Sequence, residues 1–155
     1  MDKKEWDKMK TKNKAKLRKG NQIEVIIFRN EGKEGYKFLL LKRIESRGGF
    51  WQPITGGIEE NETAKEAVKR EIKEEIGIKN IIRLIEDVYH FVLKENAKEE
   101  SVFGVEVSIN EKITLAKNIY TEHDNYKWCS FDEALNLLKY SGNKEGLKAL
   151  YKILK

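Results

Sequence analysis

The stretch GGIEENETAKEAVKREIKEEIGI, Gly56 to Ile78, decides how the rest of the chain is read. Two glycines open it, a third stands next to its end, and the residues between them carry a helical period. At about 100° per residue, Ala64, Ala67, Val68 and Ile72 fall on one apolar stripe that should face a sheet. Thr63 and Glu66 have the spacing of a capping box, and Gly77 stands where a C-terminal cap belongs. The sequence therefore predicts a helix from about Asn61 to Ile76. Toward its C-terminal end the stripe runs into Glu71 and Glu75, four residues and about 40° apart, with Glu74 on the near flank.

Three carboxylates on one turn need a reason. Like charges at these spacings disfavour a helix by a few tenths of a kcal/mol each even when exposed. Partial burial costs more, and acids near a helix C-terminus oppose its dipole. A sequence selected for folding alone would carry a lysine at one of these positions. A hard divalent cation removes all three penalties together, and Mg²⁺ suits carboxylate oxygens while keeping waters that a phosphate can displace. Arg70 has the planar fork that fixes a neighbouring carboxylate; taken alone it reads equally as an exposed helix arginine. Gly56 and Gly57 allow close approach of backbone to a ligand, or form an ordinary tight turn.

Working outward, Ile23 to Phe28 and Tyr36 to Lys42 read as strands, joined by the turn-rich Asn30 to Gly35 as a hairpin. Beyond the helix, Ile81 to Leu93 and Ser101 to Ile109 read as strands, and Tyr126 to Cys129 as a short one. Ser130 and Glu133 have capping-box spacing and open a helix through about Lys139; Asn143 to Leu154 forms the last helix. Strands and helices in this order predict an α/β sandwich, a sheet covered on both faces.

The chain has 155 residues, 37% of them charged, and one cysteine, Cys129. That length is about one domain. No apolar run approaches the roughly 18 residues of a membrane span, residues 1–20 lack the apolar middle of a signal peptide, and a single cysteine excludes a disulfide framework. A cytoplasmic protein with no membrane partner is the expectation. The net charge of +5 is uneven: residues 1–20 carry +6 and the remaining 135 sum to −1. The chain thus divides into a basic arm, 1–20, and a nearly neutral domain, 21–155. The arm reads as a solvated tail, or as an electrostatic guide for polyphosphate or RNA.

Gly56, Glu62, Arg70, Glu71, Ile72, Glu74, Glu75, Gly77 and Ile78 together resemble the Nudix box in full. The resemblance implies a Nudix-type α/β/α sandwich with a mixed β-sheet, and a hydrolase that uses Mg²⁺, or Mn²⁺ in its place, to cleave diphosphate linkages. It implies that Glu71, Glu74 and Glu75 ligate metal, that the Gly56 carbonyl joins them, that Arg70 orients Glu71, and that Glu62 is a structural member of the box. Such chemistry is metal-assisted substitution at phosphorus. No Walker-type phosphate loop is present.

The flanks, Phe50 to Gly56, Thr121 to His123 and Tyr126 to Trp128, resemble those of dihydroneopterin triphosphate diphosphatases, which also hydrolyse dATP. That comparison implies Glu122 as a further metal ligand and Arg18, Arg43 and Thr55 as substrate contacts. Trp51 is suited to stack on a base or pterin ring, and equally to pack beneath a helix. The segment Tyr89 to Phe103 departs from that subfamily, as does the basic arm. The expected substrate is a small-molecule nucleoside or pterin triphosphate, split into pyrophosphate and a monophosphate. A dinucleoside tetraphosphate hydrolase and an RNA 5′-pyrophosphohydrolase remain alternatives, and a non-catalytic nucleotide or RNA module is disfavoured because no box carboxylate has been lost. The base for the attacking water stays among Glu71, Glu75 and Glu122. His123, next to Glu122, is the one further candidate near the site, though it reads more readily as a surface or structural histidine, and His90 reads as a strand residue.

Overall fold

A computed structural model describes residues 21–93, 98–116 and 122–155. Arg18 and the whole arm lie outside the described residues. Seven strands form one sheet: β1 (Gln22–Asn30), β2 (Tyr36–Arg43), β3 (Trp51–Gln52), β4 (Ile54–Gly57), β5 (Arg83–Val92), β6 (Glu99–Glu106) and β7 (His123–Cys129). Helix α1 (Ala64–Ile76) follows β4, while α2 (Phe131–Leu137) and α3 (Ser141–Leu154) end the chain. β1 and β6 run parallel and every other pairing is antiparallel, so the sheet is mixed.

β1 is the spine. Ile23, Val25 and Ile27 pack with Ala67, Val68, Ile72 and Ile76 of α1, while Ile26 and Phe28 pack with Ala134, Leu147 and Leu150 beneath α2 and α3. The period of two along the strand thus gives each face its own core. The predicted hairpin forms, with Phe28 opposite Phe38. Past that pair β1 and β2 diverge, and the residues around Pro53 fill the wedge: Gln52 pairs with Leu41 of β2, and Ile54 with Val25 of β1. Proline, lacking an N–H, sits at the switch between the two ladders.

The predicted elements all form, with shifted ends. α1 starts at Ala64 rather than Asn61, because Asn61 has φ +64° in the approach loop and Thr63 is the cap. Both halves of the Thr63–Glu66 box are present, Glu66 N–H donating to Oγ1 and Thr63 N–H to the Glu66 carboxylate, and Gly77 closes the helix at φ +72°. The second box is only half formed: Ser130 accepts from the Glu133 N–H, but the Glu133 carboxylate is taken by Lys127 Nζ at 2.6 Å. α2 ends at Leu137, since Leu138 turns extended and bridges to Trp51. β6 starts earlier than predicted and stops before a turn closed by Glu111 N–H to Ser108 O. β7 starts at His123, not Tyr126; its residues 124–127 lie exposed at the sheet edge, where polar side chains hide a strand pattern.

Candidate functional site

The C-terminal half of α1 carries the acids, and its packing explains their positions. Ile72 and Ile76 are buried against β1, which fixes the helix rotation and brings Glu71 to 9% exposure. Glu75 is half-buried and Glu74 exposed. Glu71 fits only because residue 56 is glycine: a Cβ there would collide with the Glu71 carboxyl.

Arg70 ties the corner together. Its Nε and Nη2 make a two-pronged bond to Glu62, at 2.7 and 3.0 Å, and Nη2 also donates to the Gly57 carbonyl at 2.9 Å. Nη1 reaches Glu71 Oε1 at 2.9 Å and Glu74 Oε2 at 3.4 Å. Glu62, held by this fork below the usual carboxylate range, also accepts from the Glu59 N–H. One guanidinium thus fixes the approach loop, the backbone beside Gly56 and two acids of the helix.

Burial raises the Glu71 carboxyl to about 7; Arg70 opposes the rise, and Glu75 and Glu74 reinforce it. That excess of negative charge is what a dication would neutralise. The donor set is all hard oxygen, Glu71, Glu74, Glu75 and Glu122, which fits Mg²⁺ or Mn²⁺.

β7 supplies the other side. A bulge falls between Lys42 and Arg43, so that Lys42 pairs with Asn125 and Arg43 with His123, leaving Asp124 unmatched. Bulges of this kind re-aim side chains, and here the result is that Glu75, Glu122 and His123 offer ligand atoms all within 4.8 Å of one another. Ile44 N–H donates to the Glu122 carbonyl at 3.0 Å, anchoring that residue to the end of β2. His123 is 5% exposed; Nδ1 lies 3.3 Å from Glu75 Oε2 and Nε2 2.9 Å from Gln52 Nε2.

The structure therefore joins Gly56, Arg70, Glu71 and Glu74 in one set of contacts and Glu75, Glu122 and His123 in an adjoining one on the same turn of α1, with Arg43 at the neighbouring strand end. The Arg43 guanidinium donates to the Arg47 carbonyl at 3.2 Å and lies 5.8 Å from the Phe50 ring centroid. Thr55 is half-buried opposite Glu24. Trp51 is half-buried and packs with the cluster under α2 and α3. The Glu122-His123 pair marks His123 as a candidate in the sequence, but only the bulge shows that the imidazole points inward, and no sequence signal singles out Gln52.

A NUDIX domain pattern matches residues 20–150. The chain belongs to the NUDIX hydrolase family. A dihydroneopterin triphosphate diphosphatase of Escherichia coli is 29% identical over 136 residues, covering 81% of this chain and 88% of that protein. An octanoyltransferase of Myxococcus xanthus is 31% identical over 130 residues, but this NUDIX chain spans only 35% of its length. Among solved structures, a NUDIX hydrolase of Listeria monocytogenes has TM-score 0.75 at 25% identity, covering 86% of this chain and 93% of that one. The mixed sheet between helical layers is thus the fold of the family. No helix among the described residues is long and apolar enough to cross a membrane.

Proposed function

We propose that this chain is a divalent-cation-dependent hydrolase of nucleoside or pterin triphosphates that releases pyrophosphate and the monophosphate. The observation that carries it is the corner where Glu71, held by Arg70 and seated on Gly56, stands beside Glu74 and Glu75 while Glu122 and His123 close on Glu75 from β7. Similarity to a dihydroneopterin triphosphate diphosphatase supports the substrate class.

In this reading Glu71, Glu74, Glu75, Glu122 and the Gly56 carbonyl hold Mg²⁺, for which Mn²⁺ substitutes. The bound cation supplies neutralisation of phosphate charge and a more acidic attacking water. Arg70 keeps the acids in place before substrate arrives, so that little reorganisation is needed at the reaction step. Arg43, on the strand end next to His123, offers a cation to the outer phosphates, whereas Thr55, paired with Glu24, and Trp51, packed under α2 and α3, lie on the sheet face away from α1.

Initial rates with Mg²⁺ on dihydroneopterin triphosphate, dATP, a dinucleoside tetraphosphate and 5′-triphosphorylated RNA test the proposal. Pyrophosphate release from the first two, at the highest kcat/KM of the four, is the expected result. Faster turnover of the dinucleotide or the RNA would overturn the substrate class, and no turnover of any would overturn the activity.

A further inference from the structure

His123 belongs to no part of the box, yet both of its ring nitrogens are engaged by residues 71 and 48 positions away, Gln52 of β3 and Glu75 of α1. A nearly buried imidazole at the edge of a sheet is a costly filler unless both nitrogens are satisfied. Here the partners differ in kind. The Gln52 amide nitrogen can only donate, so Nε2 accepts from it and the ring proton lies on Nδ1. An Nδ1 that carries a proton cannot bind a cation. It can donate to Glu75 Oε2, the carboxylate oxygen it faces.

We propose that His123 is a positioning residue for Glu75: clamped by Gln52, it donates from Nδ1 to one carboxylate oxygen and leaves the other to face the cation, rather than serving as a nitrogen ligand itself. The inference rests on the divalent-cation reading of the site and adds to it a distinct connection, β3 to β7 to α1. Outer hydrogen bonds of this kind commonly set ligand orientation and basicity. The bulge between Lys42 and Arg43 gives the connection its backbone basis, because His123 rather than Asp124 then falls opposite Arg43. Glu122, with a carboxylate oxygen within 4.8 Å, and Arg43, its partner across the β2–β7 ladder, are the other charged neighbours of the imidazole.

The test uses the full chain with Mn²⁺ alone as the probe. Heteronuclear NMR of the metal-free protein should show the His123 proton on Nδ1, and pulsed EPR of the Mn²⁺ form should show no nitrogen directly bonded to the metal. Calorimetric titration should show His123→Phe weakening Mn²⁺ binding by roughly 10–100-fold. His123→Asn, whose amide nitrogen overlies Nδ1, should recover most of that loss. A proton found on Nε2, a nitrogen coupling of a bonded imidazole, or a His123→Phe variant that binds as the wild type does would each overturn the inference while leaving the cation site standing. A wild-type chain that fails to bind Mn²⁺ would overturn both. The NMR and EPR arms need no variant and so do not depend on how well the substitutions fold.

Discussion

Gly56 makes room for Glu71: the space a Cβ at position 56 would occupy is the space the Glu71 carboxyl fills. Gly56 also pairs with Ile23 on the central strand, so the backbone cannot retreat. Gly56→Ala should therefore displace Glu71 rather than the strand. The expected result is a loss of kcat/KM on the order of 100-fold with a folded, cooperative melt, since a site group misplaced by about 1 Å costs that much. Steady-state kinetics beside thermal unfolding check it.

Arg70→Lys keeps the charge and removes the fork. A single ammonium cannot serve Glu62, the Gly57 carbonyl and Glu71 at once. Activity should fall by about 10–100-fold, the scale of outer contacts at a metal site such as the one proposed, while Glu62→Gln, which weakens the contacts to only one of these partners, should lose less. Equal losses in the two variants would contradict this division of labour.

On the opposite face of β1 from the candidate site, Glu24 is fully buried, accepts from the Asn143 amide, and has one oxygen with no hydrogen-bond partner among the described residues. Gly146 lets α3 come down on that oxygen. Burial, reinforced by Glu100, raises Glu24 well above the ordinary 4.5, and burial raises Glu100 to about 7. A carboxyl raised in the folded state binds its proton more tightly there than in the unfolded chain. Its contribution is complete below 4.5 and is lost as pH climbs, for Glu100 by about 7. The metal-free protein should melt several degrees lower at pH 8 than at pH 5, and Glu24→Gln should flatten that slope. A slope unchanged by Glu24→Gln would contradict the account.

Cation binding should show its own pH dependence. Glu71 titrates near 7 without metal, so below that pH a cation must displace a proton from it. The apparent Mg²⁺ affinity should rise between pH 6 and 8 and then level off. Titration calorimetry at three pH values, in buffers of different ionisation enthalpy, would also reveal the released proton.

The fold was legible in the sequence where local chemistry and tertiary packing agree. The stripe Ala67, Val68 and Ile72, the Thr63 cap and the Gly77 stop act within one helix, and the helix forms as they specify. Where side chains answer to distant partners, the sequence was silent. Glu133 looks like half of a capping box until Lys127 takes its carboxylate. Glu24 looks like a polar interruption of an apolar strand, and only α3 lying across it shows a buried acid. The crowding of Glu71, Glu74 and Glu75 was visible because all three share one helix. The approach of Glu122 and His123 to Glu75 depends on a bulge in the β2–β7 ladder, a one-residue slip that polar edge residues conceal.

The acids of α1 and Glu122 are proposed to surround a divalent cation. Anomalous scattering from a crystal soaked in Mn²⁺ puts this to the test. A strong peak among Glu71, Glu75 and Glu122 that disappears in Glu75→Gln is expected; no peak in the wild type, with those carboxylates turned out to water, would remove the cation from that corner.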